Sequence, residues 1–303
     1  MKKPFPSLLI FLFLFLTACG GGGNKNSEYV FPESDALPIN EVEKLSAEAI
    51  DDIIQNMSSP VEVAALLQAL QVPYFADYLA PVEAADGLST SFEQALRLGI
   101  YGADLGYLNI YEKTGTSIEN LTTISKLANG IRVGQFFDFE ILKRLAINKN
   151  NLDSLLFMSV DSYNKMDTYL RENNRGYLSA LMITGVWIEA QYLLCKVVKD
   201  YPYDEIKNRI GEQKIILNDL ILLLNPYKES SEEYTNLYAD FDRIKKAYRH
   251  VDISYTPGEP ETIEKDGRLV VIQNEESIVT MSEEHLSAII VIIEEIRDKL
   301  TSE

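Results

Sequence analysis

Residues 177–198 read YLSALMITGVWIEAQYLLCKVV, and this stretch decides the fold. Apolar residues recur on nearly every side of a helix built from it, so the helix has no polar face to offer to water. Such a helix needs other helices around it. Its length also suits a membrane span, but Glu189, Gln191 and the polar segments on either side argue against that interpretation. The stretch therefore predicts the central helix of a helical bundle.

Helix-start signals recur before and after this stretch. A Ser, Thr or Asn followed three positions later by Glu is the pattern of a capping box. The pattern occurs at Asn40 with Glu43, Ser59 with Glu62, Thr90 with Glu93, Thr116 with Glu119, and Ser230 with Glu233. Between these boxes the apolar residues keep three- and four-residue spacing, which indicates helices. We expect helices over 41–57, 60–71, 91–113, 117–130, 135–147, 151–173, 176–200, 203–224 and 231–252.

The pattern changes after residue 255. The sequence TPGEP at 256–260 interrupts any helix. The sequence KDGR at 265–268 is typical of a hairpin turn, and the β-branched run LVVI follows it at 269–272. These signals predict a short β-hairpin.

A last helix follows the hairpin. Thr280 with Glu283 predicts its start, and it runs through Leu300. Its apolar stripe needs a partner surface, so we expect it to pack on the bundle. The predicted fold class is all-α, a multi-helix bundle of about nine helices with a short C-terminal β-hairpin and a final docked helix. A loose tetratricopeptide-like helix pair over 107–128 leaves a solenoid as the second possibility.

The first nineteen residues have the pattern of a secretion signal. Lys2 and Lys3 precede an apolar stretch over 8–16, which is the pattern of a secretory signal peptide and too short for a membrane span. The sequence LTAC at 16–19 resembles the bacterial lipobox, in which the cysteine thiol is diacylated and the chain is cleaved before the cysteine. This resemblance implies that Cys19 is the first residue of a mature bacterial lipoprotein.

The resemblance also implies an organisation of the chain. Two or three acyl chains anchor a protein stably to a membrane, and the glycine-rich residues that follow form a flexible tether. We expect a signal peptide over 1–18, the lipidated Cys19 and tether over 19–39, a helical bundle over 40–255, and the hairpin with the last helix over 256–303. A non-acidic residue after the cysteine favours the outer membrane of a two-membrane bacterium, with the inner membrane as the other possibility.

Charge and composition exclude several functions. The 303 residues include 28 Lys and Arg against 46 Asp and Glu, a formal charge of −18, and loss of Lys2 and Lys3 leaves 26 against 46, or −20. Nucleic-acid affinity comes mainly from cationic groups that displace counterions, so this balance argues against DNA or RNA binding. Two cysteines and two histidines are too few for a structural zinc site or a disulfide framework. We expect no metal and no cofactor.

Three glycines fall on one side of the helix predicted over 91–113, at Gly99, Gly102 and Gly106. Each costs about 1 kcal/mol relative to alanine inside a helix, so something has to offset them. One explanation is a second helix that crosses here at close distance. The other is that the glycines leave room for a small ligand.

If the glycines leave room for a ligand, three nearby residues are candidates to bind it. Asp104, Tyr107 and Tyr111 would lie at the edge of the space left by the glycines. An unpaired buried carboxylate is costly, so Asp104 needs a partner, and Arg97 or a tyrosine hydroxyl can supply one. A packing role for the glycines leaves these residues structural.

Glu189 lies in the most apolar segment, near Trp187, and it too can be either a functional or a structural acid. If it is buried without a cation, its pKa should rise, as in proton donors of helical bundles. Otherwise it is a structural acid with a satisfied charge. Cys195 lies in the same segment, and we expect it to be a core cysteine because no histidine accompanies it.

Four stretches of the body carry a second resemblance: PVEVA at 60–64, LGIYGADLGY at 98–107, DSL at 153–155 and GVWIE at 185–189. They are similar to stretches in a family of uncharacterised helical envelope proteins from Bacteroidetes-type bacteria. The likeness covers about residues 58–200, and this chain has Val186 where members tend to have a second glycine before the tryptophan. The resemblance implies an envelope setting and no particular activity.

These observations predict a lipid-anchored, extracytoplasmic protein of the cell envelope that works by binding, through a groove or an interface, without chemistry of its own. Its partners would be the membrane, through the anchor, and an envelope protein. The alternative is a small-molecule binder or a helical hydrolase. Its site would lie between the helices that carry Asp104 and Glu189, with Tyr107, Tyr111 and Trp187 nearby.

Overall fold

The computed structural model describes residues 60–147, 152–265 and 268–302, and within them the chain forms nine α-helices and one β-hairpin. The helices are α1 (Pro60–Ala69), α2 (Ser91–Ile110), α3 (Thr114–Gly130), α4 (Phe139–Ile147), α5 (Leu152–Glu172), α6 (Gly176–Asp200), α7 (Asp204–Leu224), α8 (Glu232–Ala247) and α9 (Glu283–Thr301). The strands are β1 (Asp252–Lys265) and β2 (Arg268–Thr280). The predicted signal peptide, Cys19, the tether, the helix over 41–57 and the first two capping boxes lie outside the described residues.

The apolar stretch over 177–198 lies in α6, which has the predicted bounds. This helix contacts α1, α2, α5, α7 and α9. It is long and apolar enough to cross a membrane, but 94% of its most apolar 18-residue window is buried inside the protein. Since helices distant in sequence enclose α6, the architecture is the predicted bundle and not a solenoid, in which units contact only their neighbours.

Helices α2 and α6 cross so closely that only glycine fits at two positions. A Cβ atom at Gly99 would overlap the carbonyl oxygen of Met182 on α6, and one at Gly185 would overlap the carbonyl oxygen of Leu96 on α2. The close-crossing explanation is therefore correct for Gly99. It is wrong for Gly102, where a Cβ atom would have open space around it.

One predicted capping box is confirmed and three other predicted caps, at Thr116, Ser230 and Thr280, are wrong. Helix α4 also begins at Phe139, four residues later than predicted. The side chain of Thr90 accepts from the backbone N–H of Glu93, and Glu93 bonds back to Thr90. Helix α3 begins at Thr114, three residues earlier than predicted, and has no side-chain cap. The serines nearest the two later starts act as caps: Ser231 in place of Ser230, and Ser282 in place of Thr280.

The hairpin is longer than predicted, with strands of 14 and 13 residues. The sequence TPGEP at 256–260 lies in no helix, as expected, and β1 runs through it with a register irregularity between Pro257 and Pro260. A two-stranded sheet has a free edge on each strand, and proline is tolerated there because no ladder bond needs its missing N–H.

The last helix docks as predicted. Its apolar stripe of Leu286, Ile289, Ile293 and Ile296 is buried, and α9 packs on α6 and α8. Arg243 of α8 binds both carboxylate oxygens of Glu295, at 2.8 and 2.9 Å.

Candidate functional site

The two carboxylates singled out from the sequence meet inside the protein. Asp104 lies on α2 and Glu189 on α6, and neither has any solvent-exposed surface. Helix α9 adds Arg297, which is 4% exposed. We call these three residues the acidic pair and its arginine.

Arg297 binds Glu189 through two parallel hydrogen bonds. Its Nε donates to Oε2 at 2.8 Å and its Nη2 donates to Oε1 at 2.7 Å. The guanidinium also lies 4.1 Å from the ring centre of Tyr192, a cation–π contact. Glu189 is therefore buried with a cation, and the condition under which it would act as a proton donor is not met.

Asp104 has a different environment from its neighbour. Its Oδ2 accepts a hydrogen bond of 3.0 Å from the backbone N–H of Ala80, while its Oδ1 is buried and receives none. Burial raises the pKa of Asp104 well above its usual value, and the nearby Glu189 charge raises it further. A protonated Asp104 can donate to the Glu189 carboxylate, so one guanidinium then balances one carboxylate.

The prediction that Arg97 or a tyrosine hydroxyl pairs with Asp104 is wrong. Arg97 is buried on the same helix, but its Nη2 donates to the carbonyl oxygen of Ser302 at 3.2 Å. Burial lowers the pKa of Arg97. The actual donor to Asp104 is a backbone amide 24 residues earlier. It belongs to a segment that has one short 3-10 turn (Ala76–Tyr78) but no α-helix or strand, and no sequence pattern marks it.

One side of α2 holds the irregular segment over 72–81, which we call the strap. The hydroxyl of Tyr101 donates to the carbonyl oxygen of Pro81 at 2.6 Å, and Asp104 accepts from Ala80. Arg297 of α9 donates to the carbonyl oxygen of Tyr78 at 3.3 Å. A segment with few backbone bonds of its own thus has its polar groups satisfied by side chains.

The two tyrosines predicted at a ligand edge also hold the strap. Tyr107 accepts from the backbone N–H of Phe75 at 3.0 Å, and Tyr111 donates to the carbonyl oxygen of Val72 at 2.8 Å. Both rings contact Tyr74, with ring centres 5.6 and 5.9 Å apart. Burial raises the pKa of Tyr111 to about 12, so its hydroxyl keeps its proton at neutral pH.

Trp187 lies on another side of α6. Its indole N–H donates to the side-chain oxygen of Gln213 on α7 at 3.1 Å, and its ring packs against Phe241 of α8. The structure therefore brings Asp104, Tyr107 and Tyr111 together along the strap, and joins Asp104 to Glu189, but Trp187 belongs to a separate part of the core.

Sequence reasoning missed Arg297, the cation that completes the site. The signal was present, since Arg297 lies four residues after Ile293 on the buried stripe of α9. A basic residue on an apolar helix stripe predicts a buried acidic partner. Which acid it meets, 108 residues earlier in the chain, depends on how α9 docks on α6.

Other groups with possible chemistry are structural or scattered. Cys195 is fully buried, and burial raises the pKa of its thiol, as expected for a core cysteine. His250 and His285 stack with ring centres 4.8 Å apart. Within the ranges that the structure describes, no three His, Cys, Asp or Glu residues are placed to hold a metal ion.

Comparisons with family models, with curated protein sequences and with solved structures give no match to this chain.

The carboxylates of Asp104 and Glu189 bind groups of the protein itself and are not placed to reach a substrate. A nucleophile or general base has to reach its substrate within hydrogen-bonding distance. Asp104 and Glu189 have no exposed surface, and the chain's own amide and guanidinium bind three of their four oxygens. As placed here, the pair joins α2, α6, α9 and the strap.

Proposed function

We propose that this protein is a lipid-anchored module of a bacterial cell envelope that acts by binding another envelope component and carries out no reaction. One observation carries the non-catalytic part of the proposal. The constellation with the clearest potential for chemistry, Asp104 with Glu189, is closed by Arg297 and the strap. The leader pattern and the LTAC sequence at 16–19 support the envelope address.

Contact surfaces support the binding part. Ile215 and Leu222 lie two turns apart on α7, and both are exposed, at 42% and 56%. Tyr255 and Ile278 at the base of the hairpin are also more than half exposed. β2 packs on α7, so these residues lie on neighbouring elements.

The anchor is tested by replacing the two cysteines in turn. Cys19→Ser should give a soluble or unprocessed product, whereas Cys195→Ala should stay in the membrane fraction, because that thiol is buried in the core. Mass spectrometry should find the diacylglyceryl group on Cys19 of the wild-type chain. Membrane retention of Cys19→Ser would contradict the anchor.

Binding is tested by a photo-crosslinking amino acid in living cells. Placed at Leu222, it should give a discrete adduct. Placed at Thr122, exposed on α3, which packs on α2 and α4, it should give none. Equal labelling at both positions, or none at either, would contradict a contact module that uses α7.

The alternative is a small-molecule binder or hydrolase with a site at the acidic pair. Asp104 favours it, because a buried carboxyl oxygen without a donor and with a raised pKa is a feature of active sites. That alternative predicts that Asp104→Asn and Glu189→Gln stay folded and abolish ligand-induced protection. Structural roles predict a lower melting temperature for Glu189→Gln and no ligand effect for either variant.

A further inference from the structure

The two outer edges of the hairpin differ. β1 carries Pro257 and Pro260, which lack backbone N–H groups, and its register shifts between them. β2 contains no proline over 268–280. In the part of the chain that the structure describes, the sheet consists of these two strands alone. Natural proteins block strand edges with proline and irregular register, so β1 is protected and β2 is open to pairing.

Contacts with the helices hold the base of the hairpin. A Cβ atom at Gly211 of α7 would overlap the side chain of Val279, and Ser277 bonds Glu212. Lys214 donates to the carbonyl oxygen of Val251 at 2.5 Å. These contacts orient the hairpin on α7.

The ladder continues well past that base. Pairing runs from Pro257 with Glu275 to Lys265 with Arg268. The nine residues over 268–276 span about 30 Å at the usual rise of a strand. A two-stranded ribbon is marginally stable in water, and a third strand on its open edge would stabilise it.

The charge of the hairpin indicates what that third strand should carry. The strands contain six acidic residues against two basic ones, a formal charge of −4. A second copy of this acidic chain would add like charge, whereas a basic strand would complement it.

We propose that the outer edge of β2, over 269–276, accepts an extended basic segment of an envelope protein as a third strand. This inference rests on the proposed binding function and names the kind of partner. Backbone hydrogen bonds along β2 supply the affinity, and the net negative charge of the two strands favours a basic segment.

The test uses synthetic strands on the purified full chain in detergent. The probe is the end-blocked peptide VKVKVKVKV, and the controls are VEVEVEVEV and the lysine peptide N-methylated at alternate amides. In an antiparallel strand, successive N–H groups point to opposite edges. Binding of the lysine peptide should therefore slow hydrogen exchange at every second amide over 269–276. The glutamate and N-methylated peptides should bind at least about tenfold more weakly.

Two neighbouring substitutions separate the edges of β2. Of Val270→Pro and Val271→Pro, one removes an N–H that bonds β1 and the other removes one that faces outward. The outward variant should keep the exchange protection of β1 and bind the lysine peptide about tenfold more weakly or worse. The inward variant should lose protection in β1, which identifies it.

Several outcomes would overturn the inference: no slowing of alternate β2 amides by the lysine peptide, equal binding of the N-methylated peptide, or unchanged binding by both proline variants. Slow exchange of the outward amides without peptide would identify another occupant. If that slow exchange depends on protein concentration, the occupant is a second copy. If it does not, the occupant is a segment of this chain outside the described residues. Crosslinking from Leu222 in cells distinguishes the two proposals, because an adduct there with a failed peptide test removes only the strand inference.

Discussion

At the junction of α2, α6 and α9, polar groups find their partners inside the chain. Glu189 has Arg297, and Asp104 has the amide of Ala80. On the hairpin, by contrast, the outer edge of β2 pairs with no strand among the described residues. The buried acids and their arginine thus stabilise the interior, while the backbone along the outer edge of β2 has no strand partner among the described residues. The proposed binding role rests on this contrast.

The largest test of the interior concerns the α2–α6 crossing. Gly99→Ala and Gly185→Ala should each destabilise the fold by about 4–5 kcal/mol, because the new methyl group would overlap backbone that cannot move aside. Gly102→Ala on the same helix meets open space and should stabilise it by about 0.5–1 kcal/mol. Urea unfolding measures all three. Equal effects at Gly99 and Gly102 would contradict the crossing geometry.

The next test removes the cation of the acidic pair. Arg297→Met leaves Glu189 buried without its partner and should cost about 3–4 kcal/mol of unfolding free energy. The double variant with Glu189→Gln should recover much of that loss, since the unpaired charge is gone. Arg243→Met breaks a surface pair with Glu295 and should cost far less. A small loss for Arg297→Met would show that the pair does not hold the interior together.

The pH dependence of stability tests Asp104. Its pKa is raised in the folded state, so the native chain holds a proton that the unfolded chain releases above about pH 3.9. The stability that this proton confers is full below that pH and falls as pH rises through the folded-state pKa.

Asp104→Asn should reduce the loss of stability with rising pH. An asparagine amide donates to Glu189 at every pH, so the variant should match or exceed the wild type by about 1 kcal/mol at pH 8. Thermal unfolding at a series of pH values measures the difference. An unchanged slope would mean that the proton resides elsewhere.

The smallest effect is expected at the hairpin. Replacing 256–276 by an Asn-Gly turn between Tyr255 and Ser277 keeps the base on α7 and removes the outer ladder. The unfolding free energy of the helices should change by less than about 0.5 kcal/mol. A large loss of stability would show that the arm is part of the core and would weaken its assignment as a contact element.

Several features could be predicted from the sequence. The bounds of α6 follow from an apolar stretch between polar turns, and the Thr90 box from local hydrogen bonding. The burial of Asp104 and Glu189 follows from the apolar residues around them in sequence. Each of these depends on interactions within a few turns of helix, which the order of residues specifies directly.

Other features needed the tertiary structure. Gly99 and Gly102 have the same residue type on the same helix, yet only Gly99 lies where α6 crosses. Arg297 reaches Glu189 across 108 residues, and the strap supplies the amide that binds Asp104. Periodicity tells which side of a helix turns inward, but the crossing point and the partner depend on how whole helices pack. That is why the sequence determined the bundle and its buried acids, and only packing decided what those acids bind.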